Sequence, residues 1–292
     1  DANQLESFDS DGFTVGSGSS TNGTSATFVG WNWKAGGAPT VDNSAGAGAV
    51  PTAGSVKIDG SNLGSALAGS VQVDRLSANT TNGFSMVKFP GDGTVQTVGH
   101  GLSQAPELIT FKGMGGTSNW PIGSSHGLTS WAYYVYLAET SAESASAAFW
   151  NDTAPTASVF TVGATGSPSA DTPYIAYCWH SVEGYSKVGS YEGNGNADGT
   201  FVYTGFKPAY TLIKRIDTTN DWMIGDDKIN PYNVTDNMLR ANLTAVQQSG
   251  NNVDYLSNGF KIRVAGNAFN NSSGTYLYMA FAESPFKTAN AR

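Results

Sequence analysis

The sequence contains little charge, one cysteine and no long hydrophobic run. Charged residues make up only 13% of the 292 residues and the formal net charge is −8, so the chain lacks the basic surface that nucleic-acid binding needs. The single cysteine, Cys178, excludes a disulfide within the chain. Apolar runs stay well below the ~20 residues of a membrane-spanning helix, so we predict no membrane insertion.

Motifs of the common catalytic, cofactor and metal sites are absent as well. The 3 histidines show no metal-ligand spacing, no G-x-S-x-G motif marks a nucleophilic serine, and the glycines lie in turns rather than in phosphate-binding loops. Residues 194–199 resemble the opening of a calcium loop, but Gly205 stands where the last acidic ligand belongs, so we interpret them as a hairpin loop. We therefore predict no catalytic residue, no cofactor and no metal site, and a protein that is not an enzyme.

Glycine, small polar residues and aromatic residues are abundant instead. There are 36 glycines, and aromatic residues make up 12% of the chain. Short runs of β-branched and aromatic residues between Gly, Asn and Ser turns are typical of antiparallel strands. Helix signals are weak and confined to residues 139–148 and 236–248. The pattern predicts an all-β fold.

A strand-like stretch rich in aromatic residues occurs three times, at residues 27–33, 172–179 and 275–281. The segments upstream of the last two copies also correspond to each other. The equivalent pairs and their separations are Phe84 and Tyr185 (101), Pro106 and Pro208 (102), Trp120 and Trp222 (102), Phe160 and Phe260 (100), and Tyr174 and Tyr276 (102). Their agreement predicts a tandem repeat of about 101 residues.

The repeat divides the chain into four segments. Residues 82–183 and 184–292 are each predicted to form an antiparallel, jelly-roll-like β-sandwich domain. Residues 1–37 correspond to the rear half of a repeat, with strands at 13–15 and 27–33. The Ala- and Gly-rich residues 38–81 are predicted to be a linker or extended arm that carries one or two marginal strands, at 55–58 and 70–73. Because two isolated strands are marginally stable in water, we expect the orphan hairpin to dock onto another domain or a neighbouring subunit.

Two tryptophans are the candidates for surface recognition. Trp131 and Trp150 lie outside the repeated strand and have no clear counterparts in the other repeat. An exposed aromatic ring can stack on a sugar, so both are predicted glycan contacts, with burial in the core as the alternative. Cys178 lies between two aromatic residues of the most strand-like stretch and is interpreted as a buried, unreactive thiol.

Three segments carry a family resemblance: residues 28–37 (FVGWNWKAGG), 174–184 (YIAYCWHSVEG) and 201–209 (FVYTGFKPA). They resemble a recurrent module of structural, tail-fibre-like proteins of marine tailed bacteriophages, and the resemblance covers nearly the whole chain. It implies a virion component on an extracellular particle, a tail fibre or other surface appendage that assembles as a homo-oligomer. The partners it implies are copies of the chain itself and other virion proteins, with a host-surface glycan as a further candidate. It supplies no catalytic residues.

Other functions share this composition. A lectin-like carbohydrate-binding module and a bacterial surface adhesin are also built from short strands and polar turns. A glycan-degrading enzyme would need two facing carboxylates, and no acidic pair stands out on one predicted strand face.

Overall fold

The computed structural model of the chain describes residues 4–115, 117–164 and 172–286. It confirms the predicted all-β fold, because these residues form twenty-one strands and two helical turns, α1 (Ser19–Asn22) and α2 (Ala147–Trp150). The chain divides into two compact units, residues 1–33 and 34–292.

The N-terminal unit contains one antiparallel hairpin, β1 (Leu5–Phe8) and β2 (Phe13–Val15). Its large apolar side chains are exposed, and Phe8 is 79% accessible. The hairpin pairs β2 with β1 rather than with the strand predicted at residues 27–33, which does not form. Strand conformation needs a paired strand, and the described part of this unit contains one such pair, β1 with β2.

The first domain of the large unit is a two-sheet sandwich. Its strands are β3 (Val56–Ile58), β4 (Ser61–Asn62), β5 (Arg75–Asn79), β6 (Phe84–Pro90), β7 (Gln96–Gly99), β8 (Leu108–Gly113), β9 (Pro121–Ser124), β10 (Tyr133–Tyr136), β11 (Ser144–Ala145), β12 (Val159–Val162) and β13 (Pro173–Trp179). The main sheet has the order β11-β10-β9-β8-β13-β6-β5-β3-β4, and β12 pairs with β7 in the second sheet. The core lies between them, where Phe89 packs edge-on against Phe160 at 6.0 Å and stacks on Tyr174 at 5.7 Å.

Residues 38–81 belong to this sandwich, which corrects their interpretation as a linker. β5 pairs with β6, β3 lies parallel to β5, and β4 follows, so the segment adds three strands to the main sheet. Val56 and Leu76 are buried in the core. The small residues allow close backbone approach, since a Cβ at Gly36 would lie 1.8 Å from the Ala78 carbonyl oxygen. Single apolar side chains on such short strands leave no periodic signal in the sequence.

The second domain repeats the strand order of the first. Its strands are β14 (Ser186–Glu192), β15 (Phe201–Tyr203), β16 (Pro208–Arg215), β17 (Trp222–Asp226), β18 (Leu239–Arg240), β19 (Val253–Leu256), β20 (Gly259–Ile262) and β21 (Thr275–Ala282). The main-sheet order β14-β21-β16-β17-β18 reproduces β6-β13-β8-β9-β10, and β15-β20 reproduces β7-β12. The weak helix signals were misleading, because residues 236–248 contain no helix and residues 139–148 contribute only the first turn of α2.

The main sheets of the two domains keep one register. Trp179 opposes Leu108 in the first domain, and Phe281 opposes Tyr210 in the second, a shift of 102 residues at both positions (281 − 179 and 210 − 108). The pairing of β17 with β16 is shifted by the same amount from that of β9 with β8. The tandem repeat is therefore a repeat of strand order and register, with a period of 102 residues in the main sheets.

Candidate functional site

The two tryptophans predicted to contact glycan lie in the core of the first domain. Trp150 has no exposed surface and packs edge-on against Phe111 at 5.1 Å and Trp131 at 5.3 Å. Trp131 is only 6% exposed and donates its Nε1–H to the Ser125 hydroxyl at 3.2 Å. Neither ring offers the open face that stacking on a sugar requires, which corrects the predicted role of both residues. Gly123 makes room for the two indoles, since a Cβ there would lie 2.5 Å from each.

The two domains of the large unit meet at an extensive joint. Loops of the first domain, residues 125–129 and 136–143, cover the outer face of the second domain's main sheet. The Trp222 Nε1–H donates to the Tyr136 carbonyl at 2.8 Å, and the Asn220 N–H donates to the Thr140 carbonyl at 2.8 Å. The main sheet of the second domain is therefore buried on both faces, by its partner sheet on one side and by the first domain on the other.

A lysine is enclosed in this joint. Lys214 of β16 has no exposed surface, and its Nζ donates to the carbonyls of Thr140 and Arg215. Burial lowers the pKa of Lys214 to about 8, although the carboxylates of Asp221 and Asp217 oppose the shift. The hydrogen bond to the Thr140 carbonyl links β16 to the covering loop. The lysine is therefore enclosed by protein and is not accessible to solvent.

A second polar group bridges the joint on the side of the interdomain connection. Glu107 accepts hydrogen bonds from the Ser181 N–H at 2.7 Å and from the Ser181 hydroxyl, and His126 Nε2 lies 3.5 Å from its other oxygen. The Ser181 hydroxyl in turn accepts from the Val188 N–H of β14 at 3.0 Å. Partial burial favours the neutral carboxyl, but the hydrogen bonds from His126 and Ser181 outweigh it and lower the pKa of Glu107 to about 2. In the order Ser–Glu–His the serine hydroxyl donates to a carboxylate of low pKa rather than to a histidine, so the arrangement differs from a nucleophilic triad.

The main sheet of the first domain has a face equivalent to the one that is covered in the second domain. In the first domain this face is partly exposed. Trp179 stacks on Phe84 at 5.2 Å and on Tyr177 at 6.1 Å, and Trp120 lies 6.0 Å from Tyr177. The Lys112 ammonium lies 5.8 Å from the Trp120 ring, a cation–π contact. We call these five residues the aromatic face. Its members match buried positions of the second domain, and the recurrence of Trp120 and Lys112 as Trp222 and Lys214 was the sequence signal for it.

A family model described as a domain of unknown function, DUF7483, matches residues 1–285. The chain belongs to this family. No curated protein and no solved structure matches the chain. The family's description assigns no activity, so the function of this DUF7483 protein has to be argued from its own residues.

Two further polar groups of this DUF7483 protein, His100 and Asp198, have structural partners. The Nε2 atom of His100 lies 3.1 Å from the Thr156 carbonyl oxygen, and its Nδ1 accepts a hydrogen bond from the Leu102 N–H. Because the side chain is buried, the pKa of His100 is lowered to about 4. In the 194–199 loop, Asp198 pairs with Lys261 at 2.8 Å. Across residues 4–115, 117–164 and 172–286, no three His, Cys, Asp or Glu side chains are grouped to hold a metal ion.

The lone cysteine is buried, as predicted. Cys178 has no exposed surface, and burial raises the pKa of its thiol to about 12 despite the opposing effect of the nearby Ser85 hydroxyl. Within the described part of the chain, no helix is long and apolar enough to span a membrane.

Proposed function

We propose that the protein is a structural subunit of a bacteriophage virion, a component of a tail fibre or other surface appendage that assembles as a homo-oligomer. One observation carries the proposal: consecutive copies of a single fold pack loop against sheet, so that the joint buries the central strands of one sheet face. The resemblance to tail-fibre-like proteins supplies the biological setting.

The joint suits a structural component in which the relative orientation of the two domains has to stay fixed. β13 ends at residue 179 and β14 begins at residue 186, so the connection is short. It is also hydrogen-bonded, because Val182 and Ser186 form an antiparallel bridge. Domains move freely relative to each other when the interface between them is small or polar. Here the interface buries large side chains, among them Trp222 and Lys214. The two domains therefore move as one body.

The N-terminal hairpin supports a role in assembly. Leu5, Phe8 and Phe13 are exposed on a two-stranded unit, although strands of this kind gain stability only by packing on a further surface. We propose that virion partners or other copies of the chain provide that surface.

The proposal is tested by locating the chain and measuring its assembly. Mass spectrometry of purified particles and antibody labelling in electron microscopy are expected to place it on a virion appendage. Sedimentation velocity of the isolated chain is expected to show concentration-dependent oligomers. Absence from particles together with a strictly monomeric chain would refute the proposal.

A second candidate function is carbohydrate binding, and an exposed aromatic pair favours it. Phe201 and Tyr203 lie two residues apart on the outer face of β15 and are 41% and 65% exposed. Lys261, opposite Phe201 in the ladder, forms an ion pair with Asp198 and supplies hydrogen-bonding groups beside the rings. Glycan-array binding that is lost in Phe201→Ala and Tyr203→Ala, and retained in a Tyr232→Ser control, would support this function. Binding that is equal in all four proteins would exclude this pair as the contact.

A further inference from the structure

We infer that copies of this chain associate head to tail by repeating, between chains, the joint that connects the two domains within one chain. In this arrangement the second-domain loops of one copy cover the aromatic face on the first domain of the next copy. The inference rests on the proposed assembly function and names its partner, a second copy of the chain.

The acceptor surface is the aromatic face. In the register of the main sheets, Trp179 and Tyr177 of the first domain correspond to Phe281 and Met279 of the second. The second-domain residues are buried, whereas Trp179 and Tyr177 stay partly exposed. The same contrast holds for Lys112 and Trp120 against their buried counterparts. The same sheet face thus occurs in both domains, covered in the second domain and partly exposed in the first.

The donor surface is formed by the second-domain counterparts of the covering loops. In the first domain these loops precede and follow β10, and in the second domain they precede and follow β18, at residues 227–238 and 241–252. These two loops carry several exposed apolar residues, among them Tyr232 at 84% and Val246 at 82% exposed. Exposed apolar residues concentrated on two loops in this way favour an interaction surface.

The second loop has the same local geometry in both domains. In the first domain the Glu139 N–H donates to the Tyr136 carbonyl at 3.4 Å, and in the second the Leu243 N–H donates to the Arg240 carbonyl at 3.4 Å. The ladders align Val135 with Leu239 by opposing them to equivalent isoleucines of β9 and β17, a shift of 104 residues (239 − 135). The donor loop is therefore already in the conformation that covers a sheet face.

The donors and acceptors that make the polar contacts of the joint within one chain have equivalents that could make the same contacts between two copies. Within the chain, Trp222 donates to the Tyr136 carbonyl and Lys214 donates to the Thr140 carbonyl. Applying the two shifts, Trp120 of one copy would donate to the Arg240 carbonyl of the other. Lys112 would donate in the same way to the carbonyl of Thr244, which is again a threonine.

A second copy of the chain is the occupant that these surfaces fit. Donor and acceptor lie on different domains of the same molecule, so the contact is heterologous and leaves a free donor and a free acceptor at the ends of every complex. Such contacts propagate into open filaments unless the rotation between copies closes a ring, and a filament suits a fibre component.

The test uses the full chain, with one variant on the donor loop and a matched control. Val246→Asp places a charge on an exposed side chain that has no role in the fold, and sedimentation velocity is expected to show an association constant lowered at least ~10-fold, equivalent to about 1.4 kcal/mol. Val95→Asp, also on an exposed valine but next to β7 of the second sheet rather than on the main sheet or the donor loops, is expected to associate like the wild type.

Cross-linking identifies the contact directly. Lys112→Cys and Thr244→Cys chains are mixed and treated with a short bis-maleimide; Cys178 stays unmodified because it is buried. A linked dimer in the mixture, absent from either variant alone, is expected. Oligomers that form equally well in Val246→Asp and give no such link would overturn the inference while leaving the proposed function standing. A wild type that is monomeric at every concentration would overturn the inference, and together with absence from particles it would overturn the proposed function as well.

Discussion

Replacing Glu107 with glutamine is expected to weaken the joint between the domains in a pH-dependent manner. The ionised carboxylate accepts two hydrogen bonds from Ser181 and faces His126, and these contacts lower its pKa from 4.5 to about 2 against the effect of burial. A group whose pKa is lower in the folded than in the unfolded state stabilises the fold fully above its unfolded pKa. The contribution is therefore complete above about pH 4.5 and is lost as the pH falls towards 2.

The size of the effect follows from the shift and from the exposure of the side chain. At about 1.36 kcal/mol per pKa unit, the lowering from 4.5 to about 2 corresponds to roughly 3 kcal/mol. The Glu107 side chain is 28% exposed, so solvent screening reduces this figure, and we expect about 1–2 kcal/mol at neutral pH.

The assay is urea unfolding of the full chain, followed by tryptophan fluorescence over a series of pH values. Glu107→Gln is expected to be less stable than the wild type at neutral pH and to converge with it near pH 2. Glu192→Gln, which replaces an exposed carboxylate, serves as the control and is expected to follow the wild type throughout. A Glu107→Gln protein with the wild-type stability at neutral pH, or with a constant deficit at all pH values, would show that the carboxylate does not stabilise the joint.

Three further perturbations test the packing described above. Gly123→Ala is expected to lower the unfolding free energy by about 3 kcal/mol or more, because its Cβ would overlap both core indoles, whereas Gly64→Ala, with open space around its Cβ, should change it little; thermal unfolding of both variants decides this. Cys178 is expected to react with a thiol reagent such as DTNB at mildly alkaline pH only after denaturation, and rapid reaction of the native protein would contradict its burial. Because the pKa of Lys214 is about 8 in the folded state and 10.5 ordinarily, the unfolded state binds more protons between these values, so stability should rise by roughly 3 kcal/mol across about pH 8–10.5 in the wild type relative to Lys214→Met. If the stabilities of the wild type and of Lys214→Met changed with pH in the same way, the burial of Lys214 in the folded state would be refuted.

The sequence by itself determined the features that depend on local chain preferences and on spacing. Short aromatic and β-branched runs between glycine turns indicated an all-β fold, since strand propensity and turn chemistry act over a few residues. The spacing of equivalent residues such as Tyr174 and Tyr276 indicated a repeat, which the shared strand order bears out. Burial of Cys178 followed from its position between two aromatic residues in one strand.

The tertiary structure decided everything that depends on which segments meet. Residues 27–33 resemble the closing strand of a repeat but form no strand, whereas residues 38–81 look like a linker but extend a sheet, because strand formation depends on a paired neighbour. The clearest case is the lysine that occurs at one register position of both domains. Lys112 is partly exposed over Trp120, while Lys214 is fully buried. Their local sequences are alike, and the difference arises because the loops that cover Lys214 belong to another domain, a long-range contact that no local pattern encodes.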